Sequence, residues 1–332
     1  MGIRSLGGYH KPGSEGISYA AVWDETGTGA MDPSAIPYPD GTGKWYGSRG
    51  VFAGGSTPGG FQLLLDYVTI ASTANAGTFG NLNSPARGQN GGASNGTRGV
   101  YASGTSPAIN GQIDYITFAS TGNATDFGDL YDPRRGAGAC CDGVRVVWAG
   151  GYNGSGYSAT HDYITIDTAG DAAFFGNGTN SDYTTGACSN KTYGLWFGGI
   201  SLDNTIKYVT IATLGNSVVW GYNIGSSGYG MMACSSSANR ACATGGAGPN
   251  AEEIHYLEIT TPGNASVFGD TTQARKIGAG CSDGSRGIFG GGDDGGTKKN
   301  IIDYITIGST GDATDFGDLQ DITNDLAAAG GT

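Results

Sequence analysis

The chain has 332 residues, 64 of them glycine, and only 14% of its residues are charged. The glycines follow no three-residue period, which excludes a collagen-like triple helix, and 17 scattered Lys and Arg residues in a chain of net charge -12 argue against binding to nucleic acid. No apolar stretch is long enough to span a bilayer, so we expect no membrane insertion, and residues 1–10 lack the apolar core of an export signal.

Residues 1–47 do not repeat elsewhere in the chain. They contain one predicted strand, residues 17–23, followed by a segment rich in Pro and Gly at residues 31–43. This composition is typical of an extended arm. Two interpretations stay open: an anchor that docks into a neighbouring subunit, which we favour, or a strap that packs along the rest of the chain.

Residues 48–332 contain a sequence unit that occurs six times. A tyrosine opens the strongest predicted strand of each copy, at intervals of 48, 48, 45, 48 and 48 residues, and an aromatic-glycine pair follows twelve residues later. The tyrosines are Tyr67, Tyr115, Tyr163, Tyr208, Tyr256 and Tyr304. The pairs are Phe79-Gly80, Phe127-Gly128, Phe175-Gly176, Trp220-Gly221, Phe268-Gly269 and Phe316-Gly317. Such self-similarity decides the fold before any other signal.

Each copy contains four short stretches of β-branched, aromatic or small residues separated by turn residues. In the last copy these stretches are 278–281, 286–291, 302–307 and 313–316, and the turns between them contain Ser, Asp, Thr and Gly. Four strands in a repeat of about fifty residues indicate the blade of a β-propeller. The sequence therefore predicts an all-β, six-bladed propeller with four strands per blade.

The second strand of most copies ends in two glycines. These are Gly54-Gly55, Gly150-Gly151, Gly198-Gly199, Gly245-Gly246 and Gly291-Gly292, whereas one copy has Ser103-Gly104. With a tyrosine in its third strand and an aromatic residue in its fourth, the unit resembles the kelch repeat over residues 48–332. The resemblance implies a propeller fold and no particular chemistry, because kelch modules have unrelated functions.

The two ends of the repeat region complement each other. The first copy starts at its second strand, residues 49–55, and residues 326–331 form a first strand with no successor. Within that strand Ala329 falls where Cys140 falls in another copy. We therefore expect the C-terminal strand to close the first blade, which would remove an exposed sheet edge.

The six cysteines are too sparse for a disulfide scaffold in a chain of this length. Cys140, Cys188 and Cys281 occupy equivalent positions in three copies, so they are not placed as bridging partners. We expect them to be small buried side chains with free thiols.

The sequence offers few groups for catalysis. Its histidines are His10, His161 and His255, and the position before the repeat tyrosine holds Asp, Lys or His in different copies, which predicts a solvated strand position. Cys and His do not cluster as a zinc site requires, and we predict no catalytic residue, metal or cofactor. An arginine begins the second strand of nearly every copy, which indicates a structural role: Arg49, Arg98, Arg145, Arg240 and Arg286.

Four turn aspartates leave calcium as an open alternative: Asp126, Asp129, Asp315 and Asp318. Their spacing lacks the ligand density of a dedicated calcium loop. We therefore favour solvated turn carboxylates.

The copies differ most in the loops between strands two and three and in the connections between blades, which share one face of a propeller. Function usually lies in variable loops on a rigid scaffold. The candidate binding residues on this face are Tyr131, Arg134, Arg135, Tyr152, Tyr157, Tyr183, Tyr222 and Tyr229. Tyrosines among Asn, Ser and Gly are typical of recognition surfaces and would also suit sugar rings. The alternative is that these tyrosines merely cover the blade edges.

Blades rich in Gly, Ser, Thr and Asn, with Asp-Tyr-Ile-Thr-Ile at 303–307 and Ala-Thr-Asp-Phe-Gly-Asp-Leu at 313–319, resemble repeat proteins of tailed bacteriophages. The resemblance implies a virion tail-fibre, receptor-binding or capsid-decoration subunit, assembled with other subunits in the host cytoplasm. Its implied partners are other virion proteins, through the arm, and a host-surface glycan or receptor. A free carbohydrate-binding lectin is the first alternative, and a propeller enzyme is the second.

Overall fold

The computed structural model describes residues 47–88, 91–105, 108–183, 186–190, 192–199, 204–222, 231–246 and 251–331. Residues 1–46, and with them nearly all of the predicted arm, lie outside the described residues. The described part of the chain consists of strands, turns and loops and contains no helix.

Six antiparallel sheets of four strands each form the blades of a six-bladed propeller. The first blade contains β1 (Arg49–Ala53), β4 (Leu64–Thr69), β5 (Gly77–Asn81) and β26 (Ala327–Gly331), with the small hairpin β2 (Ser56–Thr57) and β3 (Gly60–Phe61) in its loop. The second blade contains β6 (Gly91–Ser94), β7 (Arg98–Ala102), β8 (Gln112–Thr117) and β9 (Thr125–Asp129). The third contains β10 (Gly138–Cys141), β11 (Arg145–Ala149), β12 (Ser158–Thr165) and β13 (Ala173–Asp182).

The remaining three blades follow in chain order. The fourth contains β14 (Gly186–Ser189), β15 (Tyr193–Phe197), β16 (Thr205–Thr210) and β17 (Val218–Tyr222). The fifth contains β18 (Met231–Ser236), β19 (Arg240–Gly245), β20 (Glu253–Glu258) and β21 (Ser266–Asp270). The sixth contains β22 (Ala279–Ser282), β23 (Arg286–Gly290), β24 (Lys299–Thr306) and β25 (Thr314–Thr323). The predicted all-β, six-bladed propeller is confirmed.

The C-terminal strand closes the first blade, as the sequence predicts. β26 pairs antiparallel with β1 from Arg49 opposite Gly331 to Ala53 opposite Ala327, and the strand order of this sheet is β26-β1-β4-β5. The first blade is thus built from both ends of the repeat region, and β1 has a neighbour on each side.

A ring of six hydrogen bonds joins each blade to the next. The turn between strands three and four carries an Asn or Asp whose Oδ1 accepts the backbone N–H of the residue after the aromatic-glycine pair of the preceding blade. The donor and acceptor residues, with N to Oδ1 distances of 2.9–3.1 Å, are Asn81 and Asn123, Asp129 and Asp171, Asn177 and Asn216, Tyr222 and Asn264, Asp270 and Asp312, and Asp318 and Asn75. The last bond closes the ring from the sixth blade to the first.

The glycine of the aromatic-glycine pair is required by this contact. A Cβ atom built on Gly80 would lie 2.1 Å from the carbonyl oxygen of Gly122 in the next turn, whereas a Cβ on Gly122 would meet nothing within 4 Å. The blades therefore approach one another backbone to backbone at this point.

We expect Gly80→Ala to lower the free energy of unfolding by about 3 kcal/mol, because the new methyl group overpacks a backbone contact that cannot move aside. Gly122→Ala is the matched control and should change it by less than about 0.5 kcal/mol, as usual for an open surface position. Urea denaturation followed by circular dichroism measures both. Equal stability of the two variants would contradict the assignment of Gly80 to the blade interface.

The recurring arginines have the structural role that the sequence predicts. Each donates a hydrogen bond from Nη1 to a carbonyl oxygen of the next blade at 2.5–3.0 Å: Arg49 to Phe118, Arg98 to Ile166, Arg145 to Ile211, Arg240 to Ile307 and Arg286 to Ile70. Each guanidinium also lies over the repeat tyrosine of its own blade, 4.3–5.4 Å from the ring centroid. These arginines therefore connect neighbouring blades.

The core lies between adjacent blades and packs the repeat aromatics edge to face, as in the pair Tyr115 and Phe127, whose centroids are 6.0 Å apart. Five cysteines are free and buried in this core, as predicted: Cys140, Cys141, Cys188, Cys242 and Cys281. Burial raises the pKa of the Cys242 and Cys281 thiols above the ordinary value, so neither is a thiolate at neutral pH.

The prediction that the residue before each repeat tyrosine is solvated is wrong. All six are buried: Asp66, Asp114, Asp162, Lys207, His255 and Asp303. The reason is that strand three runs beneath the connection from the preceding blade. In three blades an arginine of that connection pairs with the aspartate at 2.6–2.8 Å, and both side chains are 0% exposed: Arg87 with Asp114, Arg134 with Asp162, and Arg275 with Asp303.

The other blades fill this buried position differently. In the first blade Gln320 replaces the arginine, donating from its backbone N–H and its Nε2 to Asp66. In the fifth blade Nε2 of His255 lies 3.2 Å from Oε2 of Glu253. In the fourth blade the two charged residues are exchanged in the sequence. Lys207 occupies the aspartate position, and Asp182, which lies six residues after Gly176, occupies the arginine position.

Candidate functional site

The face that carries the turns between strands one and two is built alike in successive blades. The Oδ1 atom of Asn95 accepts the backbone N–H groups of Thr97 and Arg98, and Asp142 accepts those of Val144 and Arg145 in the same way. Turns of this kind hold the hairpin and leave little side-chain variety for recognition.

The opposite face has a common backbone frame that carries different side chains. In four blades the loop between strands two and three forms a small hairpin bridged to the connection from the preceding blade. The hairpin pairs are Ser56 with Phe61, Thr105 with Ile109, Tyr152 with Tyr157, and Asp293 with Lys298. The bridging residues of the connections are Asn324, Gly88, Arg135 and Lys276. Sequence reasoning did not find this shared frame.

In three of these four blades the double glycine favours the frame, and in the second blade Ser103 and Gly104 adopt φ angles of 76° and 130° at the same positions. Gly150 and Gly151 have φ angles of 72° and 102°, in a region that other residues rarely adopt. A Cβ atom on Gly151 would also lie 2.6 Å from the carbonyl oxygen of Arg135. The loop can therefore turn sharply and meet the connection closely.

In the third blade this frame brings together four of the predicted binding residues, which we call the tyrosine cluster: Arg135, Tyr152, Tyr157 and Tyr183. The ring centroids of Tyr152 and Tyr157 are 5.8 Å apart, and those of Tyr157 and Tyr183 are 5.9 Å apart. The Arg135 guanidinium lies 5.2 Å from the Tyr152 ring and 5.8 Å from the Tyr183 ring. Tyr157 is the outermost member and is 44% exposed, whereas Tyr183 is buried at 9% exposure, so it packs beside Tyr157 and is not an exposed residue of the binding face as predicted.

Polar groups border the tyrosine cluster. Oδ2 of Asp132 accepts a hydrogen bond from Oγ of Ser158 at 2.6 Å, and its Oδ1 accepts one from Nδ2 of Asn153 at 3.4 Å. Oδ1 of Asn153 in turn accepts the backbone N–H of Ser155 at 3.1 Å. These groups hold one another in place, and sequence reasoning missed them because Asp, Asn and Ser also fill ordinary turns.

A second aromatic pair lies beside these polar groups. Tyr131 directly precedes Asp132, and its ring centroid is 6.0 Å from that of Phe174 on β13. Tyr131 is 62% exposed and Phe174 is 44% exposed. The sequence contained a signal for Phe174: it precedes the aromatic-glycine pair, and the second blade has the polar residue Asp126 at this position.

The other predicted binding residues are elsewhere. Arg134 is fully buried and donates hydrogen bonds to Asp162 and, at 3.2 Å, to the carbonyl oxygen of Trp148. Its prediction as a residue of the binding face is therefore wrong. Tyr222 is exposed at the end of β17, in the fourth blade. Tyr229 lies outside the described residues.

A buried histidine lies in the same blade. His161 packs against Trp196 with ring centroids 5.4 Å apart, and neither ring nitrogen has a hydrogen-bond partner in the described part of the chain. Burial lowers the pKa of His161 to about 4, and the positive charges of Arg134 and Lys207 act in the same direction. The imidazole is therefore neutral at neutral pH.

The central channel is lined by small side chains of the innermost strands. The cavity there measures about 80 Å³, and its lining includes Gly92, Ala139, Cys140, Ala187, Ser189 and Gly280. The lining residues that the structure describes include no charged side chain. Among all described residues, no group of three or more His, Cys, Asp or Glu side chains is arranged to hold a metal ion.

No protein-family model matches the chain, and no curated protein matches it. In the described ranges no helix has the length and apolar character needed to cross a membrane.

Proposed function

We propose that the protein is a non-enzymatic binding propeller that serves as an adhesion or decoration subunit of a tailed-bacteriophage virion. One observation carries the binding function. The residues that recur in the copies are engaged within and between blades, whereas the third blade exposes Tyr131, Tyr157 and Phe174 at positions that vary from copy to copy.

Recognition by this surface has a clear physical basis. Tyrosine rings supply a large contact area at low cost in side-chain entropy, and Asn and Ser side chains supply adaptable hydrogen bonds. The hairpin bridge between Arg135 and Tyr152 fixes the cluster on the scaffold before any ligand arrives. A pre-organised surface loses less conformational entropy on binding.

The central channel supports the non-enzymatic part of the proposal. Propeller enzymes need titratable groups that converge on a substrate, as general acid-base catalysis requires. The described channel lining consists of Gly, Ala, Ser and Cys, and burial keeps the thiols of Cys140 and Cys281 protonated.

The virion assignment rests on the kelch-like, phage-like style of the repeats and on the arm at residues 1–47. An arm that docks into other virion proteins would place many copies of the protein on one particle, so the protein would be located on the virion. Repeated sites on one particle multiply weak individual affinities. Particles produced from the genome that encodes this chain should contain it at a copy number set by particle symmetry. Mass spectrometry of purified particles tests this, and particles without the chain would contradict it.

We expect Tyr157→Ala to weaken adhesion of the purified protein to host cells about tenfold, which corresponds to about 1.4 kcal/mol for one exposed aromatic contact. Phe61→Ala is the matched control, because Phe61 occupies the same hairpin position in the first blade and is 39% exposed. It should leave adhesion unchanged. Flow cytometry with labelled protein measures both, and equal losses in the two variants would remove the third blade from the proposal.

A free carbohydrate-binding lectin is the second candidate, and the tyrosine cluster favours it equally. The two differ in where the protein is found. A free lectin would bind glycan as an isolated monomer and would be missing from purified particles.

A further inference from the structure

The two aromatic pairs of the third blade lie near each other and expose three rings, Tyr131, Phe174 and Tyr157, whereas Tyr183 is buried at 9% exposure. Tyr131 is one residue from Asp132, Tyr157 is one residue from Ser158, and Asp132 and Ser158 are directly hydrogen-bonded at 2.6 Å. Since consecutive Cα atoms lie about 3.8 Å apart and the hydrogen-bonded side chains add up to about 9 Å, the Cα atoms of Tyr131 and Tyr157 are within about 16 Å of each other. We call this surface, from Phe174 through Tyr131 to the tyrosine cluster, the aromatic band.

The exposed rings of Tyr131, Phe174 and Tyr157 can meet a ligand with polarised C–H groups. The Tyr131 and Phe174 rings are inclined at 56°, and the Tyr157 and Tyr183 rings at 50°, so neither pair is closed by parallel stacking. An aromatic face carries partial negative charge and attracts the partly positive C–H edge of a neighbouring group. Sugar rings present such C–H faces.

Hydrogen-bonding groups adjoin both aromatic pairs in the chain, because Asp132 follows Tyr131 and Asn153 follows Tyr152. The Asp132 side chain is 22% exposed and accepts hydrogen bonds, and the exposed Asn153 amide can donate and accept. Both are already held by their neighbours, so little side-chain entropy is lost when hydroxyl groups bind them. Alternating aromatic and hydroxyl-binding groups match the alternating C–H faces and hydroxyls of a glycan.

Charge selects among glycans. The whole chain has a net charge of -12, which repels polyanions, and the carboxylate of Asp132 follows Tyr131 directly in the band. Arg135 is the cation of the cluster, and its guanidinium lies over two tyrosine rings. The band therefore suits an uncharged chain better than an acidic polysaccharide.

A protein partner fits the band less well. Protein interfaces have a desolvated apolar core with a polar rim around it. Here the carboxylate of Asp132, next to Tyr131 in the chain, and the amide of Asn153, next to Tyr152, are hydrogen-bonded to each other and bring polar groups among the aromatic residues.

We propose that the aromatic band binds a neutral glycan chain several sugar units long, with one subsite at Tyr131 and Phe174 and another at the tyrosine cluster. The proposal rests on the proposed binding function and names the ligand class of that same surface. Because the subsites are separate, a long chain engages both and a short one engages either.

The purified full-length chain is tested on an array of neutral and acidic microbial polysaccharides, and each neutral glycan that binds is then compared with its own shorter fragments by calorimetry. We expect affinity to rise with chain length. Tyr131→Ala and Tyr157→Ala should each weaken binding of the long chain about tenfold, and Tyr131→Ala should also remove most of the gain with length. Phe61→Ala, at an exposed aromatic position outside the band, should bind like the parent protein.

Three results would overturn the proposal: no neutral glycan binds, only acidic polysaccharides or host proteins bind, or the two band variants bind like the parent. Thermal unfolding of each variant confirms that the propeller is intact. If the protein adheres to host cells but binds no neutral glycan, the adhesion function stands and the glycan assignment fails. If it binds neutral glycans but is missing from particles, the virion assignment fails and the glycan site stands.

Discussion

Replacing Arg134 by methionine should lower the free energy of unfolding by about 3–5 kcal/mol, because it leaves the carboxylate of Asp162 buried without its cation. Both side chains are 0% exposed and Nη1 of Arg134 lies 2.8 Å from Oδ2 of Asp162. Methionine preserves much of the apolar stem of arginine, so the loss reports the missing charge more than missing packing. Urea denaturation at neutral pH measures the effect.

The deficit of this variant should shrink as the pH is lowered. Burial already raises the pKa of the Asp162 carboxyl, and Arg134 opposes that rise. Without Arg134 the folded protein binds a proton at Asp162 more readily than the unfolded chain does, so acid favours the folded variant.

Two further variants isolate the ion pair. The double variant Arg134→Met, Asp162→Leu should recover most of the lost stability, because replacing both partners leaves no unpaired buried charge. Lys299→Met breaks the exposed pair with Asp294, at 2.8 Å, and should cost less than about 1 kcal/mol. A double variant as unstable as the single one would show that arginine packing, not charge pairing, holds this site.

Deleting residues 326–332 should lower the melting temperature by about 10 °C or more, at roughly 2 °C per kcal/mol for a domain of this size. The deletion removes β26, its five residue pairs with β1, and the buried side chains of Leu326 and Ala328. It also exposes β1 as a sheet edge, which promotes association with other chains. Differential scanning calorimetry and light scattering measure the two effects.

Removal of Thr332 alone is the control, since β26 ends at Gly331 and stays complete. A synthetic peptide of residues 324–332, added to the truncated protein, should raise the melting temperature by occupying the vacant place beside β1. A truncated protein that melts at the temperature of the full chain would refute closure by β26 as a source of stability.

The fold could be predicted because its signals are short in range and occur six times. The repeat tyrosine and the aromatic-glycine pair keep their spacing in every copy, and the two incomplete copies at the ends predict their own pairing. Repetition also indicated that the arginines at the start of strand two have a structural role, since an arginine that binds a ligand would not recur in nearly every blade.

The buried ion pairs could not be predicted from single positions, because aspartate is usually solvated and its arginine is distant in sequence. Arg87 precedes Asp114 by 27 residues, and Arg134 precedes Asp162 by 28. A signal was present in the differences between copies. The arginine occurs in three of the four copies with aspartate before the tyrosine, Gln320 serving the fourth, and it is missing where Lys207 or His255 takes that place.

The candidate site shows why the face of the propeller on which a residue lies is easier to predict than whether its side chain is buried. Arg134 and Arg135 are adjacent in the sequence, yet one is buried and the other lies over the tyrosines. In extended backbone, successive side chains point to opposite sides, and the bridge between Arg135 and Tyr152 decides which arginine points outward. That bridge depends on a loop that joins the connection only in three dimensions.

The hairpin frame described above has a consequence for how such a chain can change. The first, second, third and sixth blades hold their loops through the same backbone bridges, at Ser56, Thr105, Tyr152 and Asp293. A loop that evolves in one blade can therefore be transplanted into another by recombination between copies, with its geometry preserved. These four blades offer equivalent attachment points for loops, so binding specificity can diversify while the scaffold stays unchanged.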